Sequence, residues 1–163
     1  MKIMGIDPGL ANVGWGIIKE TDNSKFSLVN YGCISTSSSD TFIKRLDLLY
    51  KRAKDLVEKY NPEEVAVEEL FFSANTKTAI NVAHARGAVM VALNHSGMKV
   101  SEYTPLEIKQ ALVGYGKAKK SQVQYMVKQF LNLDEIPHPG HSADALAAAL
   151  CHCSSRKLNN LIK

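Results

Sequence analysis

The apolar positions along the chain change period several times, and each change marks an element. "KIMGID" (residues 2–7) is a short apolar run that ends in an acid, and "PGLAN" then turns the chain. "VGWGIIKE" and "KFSLVNYGCI" are two more runs of strand length, separated by "TDN", so the opening segment predicts an antiparallel meander. From Thr41 to Tyr60 the pattern switches to helical spacing, with Phe42, Leu46, Leu49, Ala53, Leu56 and Tyr60 on one face. "TSSSD" ahead of it supplies caps, and Pro62 ends it. "EEVAVEEL" predicts a fourth strand. Its successive apolar residues Val65, Ala66 and Val67 mark a central strand buried on both faces.

A second helix is predicted over about 75–95, apolar on most sides through Ala79, Ile80, Val82, Ala83, Ala88, Val89 and Val91. Such a helix needs burial against its own sheet and against something else. "MKVSEY" is a fifth strand. "TPLEIKQALVG" is a short helix with Thr104 as cap and Pro105 in its first turn. "YGKAKK" is a basic loop, and a helix starts near Ser121. An alanine-rich helix follows, with a polar tail after it. A meander followed by two strand–helix crossovers gives one α/β unit over 1–163, a mixed five-stranded sheet flanked by helices. The first and fourth strands then lie parallel at its centre.

That topology brings chemistry together. Asp7 ends the first strand and Glu68 the fourth, so both carboxylates leave the sheet at its carboxyl edge, where open α/β sheets place their sites. His141 and Asp144 open the alanine helix one turn apart, on one face. Asp7, Glu68, His141 and Asp144 therefore form a candidate catalytic and metal-ligating set. Clustered carboxylates suit hard divalent cations such as Mg²⁺, two of which can clamp the attacking and leaving oxygens of a phosphodiester. Taken singly, Asp7 is an ordinary turn residue and Glu68 an ordinary strand end; only their convergence argues for a site.

Charge narrows the class of partner. Net charge is +4 and the pI about 8.9, which permits an anionic partner without requiring one. Lys109, Lys117, Lys119 and Lys120 fall close together and suit DNA phosphates. "GYGKAKKS" lacks the spacing of a nucleotide-binding P-loop. Cys33, Cys151 and Cys153 form no CxxC pair, and consecutive helical residues in "CHC" point about 100° apart, so neither a disulfide framework nor a metal cluster is expected. With no leader signal and no apolar run of membrane length, the chain reads as cytoplasmic and free of the membrane.

Five stretches, "GIDPGLANVGWGII", "VAVEELFF", "HARGAVM", "IKQALVGYGKAKKSQVQ" and "HSADALAAAL", resemble in order and spacing the RuvC family of bacterial Holliday junction resolvases. The resemblance implies a ribonuclease H-like fold and a homodimer, which the helix around 75–95 is placed to form. It implies cleavage of two opposing strands of a four-way DNA junction in recombination and repair, with two Mg²⁺ per site and 5′-phosphate products. By motif match, Asp7, Glu68 and Asp144 are the family's acids, Lys109 and Lys120 its DNA-binding lysines, and Phe71 a wedge that stacks on an unpaired base. Phe72 reads as packing. His141 departs from the pattern, because many members carry aspartate there. Histidine is a softer ligand than carboxylate, imidazole suits Mn²⁺ or Zn²⁺ better than Mg²⁺, and it can also position or deprotonate water. A branch-migration motor is the further partner the resemblance implies. The readings that compete are a ribonuclease acting on RNA–DNA hybrid or structured RNA, and a junction-binding protein that does not cut.

Overall fold

A computed structural model describes residues 1–21, 25–69 and 76–161. The strands are β1 (Lys2–Asp7), β2 (Asn12–Glu20), β3 (Phe26–Ser35), β4 (Glu64–Glu68) and β5 (Val100–Tyr103). The helices are α1 (Phe42–Tyr60), α2 (Thr76–His95), α3 (Pro105–Val113), α4 (Lys120–Phe130) and α5 (Gly140–Leu161). Sheet order is β3-β2-β1-β4-β5, with β1–β2 and β2–β3 antiparallel and β1–β4 and β4–β5 parallel. The meander and the parallel centre are those expected. Three boundaries differ. Thr41, not "TSSSD", caps α1 by accepting from the Lys44 N–H; β5 begins at Val100; and α5 runs on to Leu161 where a polar tail was expected.

Period-two alternation divides the core into two layers. Met4, Ile6, Val65 and Val67 point to one face, where Leu49 and Ala53 of α1 and Val89 and Leu93 of α2 cover them. Ile3, Ile18 and Ala66 point to the other, beneath α3, α4 and the Ala/Leu body of α5. Alanine lets α5 lie close against the sheet, and Gly5 makes that possible: a Cβ there would collide with the Ala145 carbonyl oxygen. Overpacking of this kind costs about 1–3 kcal/mol. Gly5→Ala is expected to lose about 3 kcal/mol in urea unfolding, read as a lower midpoint at unchanged slope.

One expectation is half met by the fold. α2 buries Ala85, Val89, Ala92 and Leu93 against its own sheet and α1. Its opposite face leaves Ile80 and Val91 about half exposed, with open space over Gly87.

Candidate metal and DNA site

β1 and β4 pair in register from Ile3 with Glu64 to Ile6 with Val67, so Asp7 and Glu68 emerge beside each other. Both belong to the face of the sheet that α5 covers. A cis His138–Pro139 peptide precedes α5, and the Ser142 hydroxyl donates to the Gly32 carbonyl at 2.8 Å, fixing the helix mouth on β3. Gly14, paired across from Asp7 on β2, lets that mouth approach; a Cβ at Gly14 would strike the His141 backbone.

His141 Nδ1 lies 2.7 Å from Asp7 Oδ2. The ligand atoms of Asp7, His141 and Asp144 all lie within 4.8 Å of one another. Glu68 stands beside this triad, outside that mutual radius. It shares a cleft of about 240 Å³ with Asp144, Lys109 and Lys120. The sequence set of four is therefore a tight group of three with a fourth acid adjoining.

The electrostatics record this crowding. Burial, then the neighbouring charges of Asp7 and Asp144, push the Glu68 carboxyl up to about 8. Burial also raises Asp144, against the opposing pull of the Lys120 ammonium that bonds it. Burial lowers Lys120, but its bond to Asp144 and the surrounding acids outweigh that and hold it above its ordinary value. His141 is raised by its hydrogen bond to Asp7. Perturbed acids gathered in one cleft make it a candidate functional site.

The basic residues separate into two groups. Lys109 on α3 and Lys120 at the start of α4 line the cleft. Lys117 and Lys119, in the segment between those helices, are exposed. Phe71 and Phe72 lie outside the described residues. Sequence reasoning missed Arg45, which donates from Nε to Thr36 Oγ1 at 2.8 Å and lines a groove running to His141. A single arginine within an amphipathic helix carries no signal of that placement. It also missed the polar role of His152, dismissed with the "CHC" cysteines. Those cysteines are free, and Cys151 and Cys153 are buried. His152 is bonded to β4 and β5.

A mixed five-stranded sheet whose central parallel strands deliver acids to a helix mouth defines a ribonuclease H-like protein with a candidate divalent-metal centre. More narrowly, the chain belongs to the RuvC family: the family model described as Crossover junction endodeoxyribonuclease RuvC matches residues 3–152. The Crossover junction endodeoxyribonuclease RuvC of Clostridioides difficile (strain 630) is 53% identical over 163 residues, covering 100% of this chain and 96% of that protein. The Thermus thermophilus RuvC structure superposes with a TM-score of 0.89 at 37% identity, covering 98% of this chain and 97% of that one. T. thermophilus RuvC in complex with Holliday junction substrate gives 0.88 at 35% identity, covering 97% and 96%. Among the described residues no helix is long and apolar enough to cross a membrane.

Proposed function

We propose that this chain is a single nuclease domain that resolves four-way DNA junctions by paired, metal-dependent hydrolysis, leaving 5′-phosphate and 3′-hydroxyl ends. The observation that carries this reading is the convergence of Asp7, His141 and Asp144 within 4.8 Å, with Asp144 reaching the cleft that Glu68 lines together with Lys109 and Lys120. Such an oxygen-rich donor set fits Mg²⁺, and one imidazole extends it to Mn²⁺. Two such ions, held by Asp7, Glu68, His141 and Asp144, would neutralise the attacking and leaving oxygens of the phosphodiester. With Nδ1–H donated to Asp7, His141 keeps the Nε2 lone pair for a cation or for a water it orients.

Lys120 offsets the charge of Asp144 at the reacting centre, whereas exposed Lys117 and Lys119 grip phosphates at a distance. Their replacement therefore has different consequences. Lys117→Ala with Lys119→Ala is expected to flatten the plot of log affinity against log salt by about 1 per lysine, with saturated cleavage unchanged. Lys120→Ala is expected to slow cleavage about 10- to 100-fold at saturating junction. Filter binding and single-turnover cleavage separate the two.

Two-fold junctions call for two sites at a fixed separation, which a symmetric dimer supplies. The half-exposed stripe of α2 through Ile80, Gly87 and Val91 is the face we assign to it. A cytoplasmic setting and a branch-migration motor complete the reading, and Phe71 is assigned to base stacking. The deciding experiment compares a four-way junction, a plain duplex and an RNA–DNA hybrid, each with Mg²⁺ and with Mn²⁺. Paired symmetric nicks in the junction alone are expected. Preferred hydrolysis of the hybrid, or junction binding without cleavage in either metal, would overturn the proposal.

A further inference from the structure

α5 is fastened to the sheet by polar bonds at its two ends and by apolar contact between them. At the mouth, His141 meets Asp7 and Ser142 meets the Gly32 carbonyl. From Ala145 to Cys151 every residue is alanine, leucine or cysteine, and all are buried. Much of this stretch lies against Gly5 and Ala66. Leu146 fills the gap over Gly16, and a Cβ at Gly5 would strike the Ala145 carbonyl, so this layer packs closely without a directional bond of its own. Directional bonds at both ends of the helix set its axial position together, and the far end needs one as the mouth does.

His152 is placed to do so. It is 5% exposed. Its Nε2 is 2.6 Å from Glu64 Oε2, and its Nδ1 is 2.8 Å from the Tyr103 hydroxyl. A carboxylate only accepts, so Nε2 donates to Glu64, and Nδ1 is left to pair with the Tyr103 hydroxyl. Arg156, one turn on, bonds Glu20 and lies 3.9 Å from the same Glu64 oxygen, with its Nη1 3.2 Å from Met1 Sδ. The starts of β1 and β4 and the ends of β2 and β5 are thereby tied to one helix.

The spacing connects this tie to the candidate metal site. β4 runs from Glu64 to Glu68, and α5 runs the other way, from Asp144 near Glu68 to His152 on Glu64. Four strand residues span about 13 Å and eight helical residues about 12 Å. The two spans match, so fixing His152 on Glu64 fixes where Asp144 stands relative to Glu68. We propose that His152, acting through Glu64 and Tyr103, is a positioning residue: it sets the axial placement of α5 and so holds Asp144 and His141 in ligating geometry. This rests on the metal-site reading above. Partners one step removed from a metal commonly change its affinity 10- to 100-fold when removed.

The test uses the full chain without DNA. Free Mn²⁺ is titrated by electron paramagnetic resonance, and the rise in melting temperature on adding Mn²⁺ is read beside it. His152→Phe keeps a planar ring of somewhat larger volume and removes both hydrogen bonds; it is expected to weaken Mn²⁺ binding about tenfold. Glu64→Gln still accepts from Nε2–H and is expected to stay within about twofold of the parent. Leu49→Ala, buried on the other face of the sheet, is expected to lower the melting temperature without altering Mn²⁺ affinity. If His152→Phe does not fold, Glu64→Ala removes the same tie from the strand side and carries the same expectation. Parental Mn²⁺ affinity in His152→Phe or in Glu64→Ala, or equal weakening by Leu49→Ala, would overturn the proposal. Parental affinity in Asp7→Asn would instead overturn the metal-site reading.

Discussion

Asp7→Asn loses junction cleavage by about 10³-fold or more while junction binding persists. The substitution is isosteric, and its amide oxygen still accepts from the His141 N–H that Asp7 accepts from at 2.7 Å. What disappears is one negative charge from a site whose members stand within 4.8 Å. A divalent cation then loses an anionic ligand, and the remaining acids cannot replace it without moving. DNA phosphates meet a less acidic surface, so affinity is expected to hold or tighten. Single-turnover cleavage in Mg²⁺ and gel-shift titration in chelator give the two readouts. Cleavage within tenfold of the parent would remove Asp7 from the proposed chemistry.

The second large effect is on stability against pH, in the absence of divalent metal. Glu68 titrates at about 8 when folded and at 4.5 as an ordinary glutamate, its burial being the first cause. Between those values the folded chain holds a proton that the unfolded chain has released. Stability therefore falls as pH rises through the window, by about 1.4 kcal/mol per unit where the difference approaches one proton. Below about 4.5 both states are protonated and the penalty vanishes. Glu68→Gln abolishes this titration. The variant is expected to melt near the parent at pH 5 and about 5–10 °C above it at pH 8. His141 and Asp144 shift pH dependence in both proteins, so the difference reports Glu68 together with its coupling to Asp7, Asp144 and Lys120. Added Mg²⁺ favours the charged carboxylate, and it is expected to stabilise the parent more at pH 8 than at pH 6. A melting difference that does not grow with pH would refute this account of Glu68.

Much of this arrangement was legible because it depends on period and strand order. The alternation in "KIMGID" and "EEVAVEEL" fixes which side chains share a face, and the order of strands and helices fixes β1 beside β4. Asp7 and Glu68 then meet at one edge without knowledge of any side-chain position. Asp144 was legible from the contrast between a polar first turn and an apolar helix body. What was not legible depends on axial and lateral placement to within an ångström or two. Nothing in "KAKKSQ" says that Lys120 reaches Asp144 while Lys119 faces solvent; the helix starts between them, with Lys119 extended and Lys120 in the first turn of α4. Glu68 stands apart from the tight triad for the same kind of reason. The "CHC" reading was blind to His152, because its partners Glu64 and Tyr103 are 88 and 49 residues away.

The bond between His141 and Asp7 closes over 134 residues of chain. During synthesis Asp7 is made before His141 and Asp144, which come only with α5. A ribosome that has produced everything up to α4 has made a sheet edge with two acids and no imidazole, and so no complete cation site. The order of the polypeptide therefore withholds the assembled site from growing or prematurely stopped chains. A fragment ending before residue 140 lacks His141 and Asp144 and is expected to cut no junction.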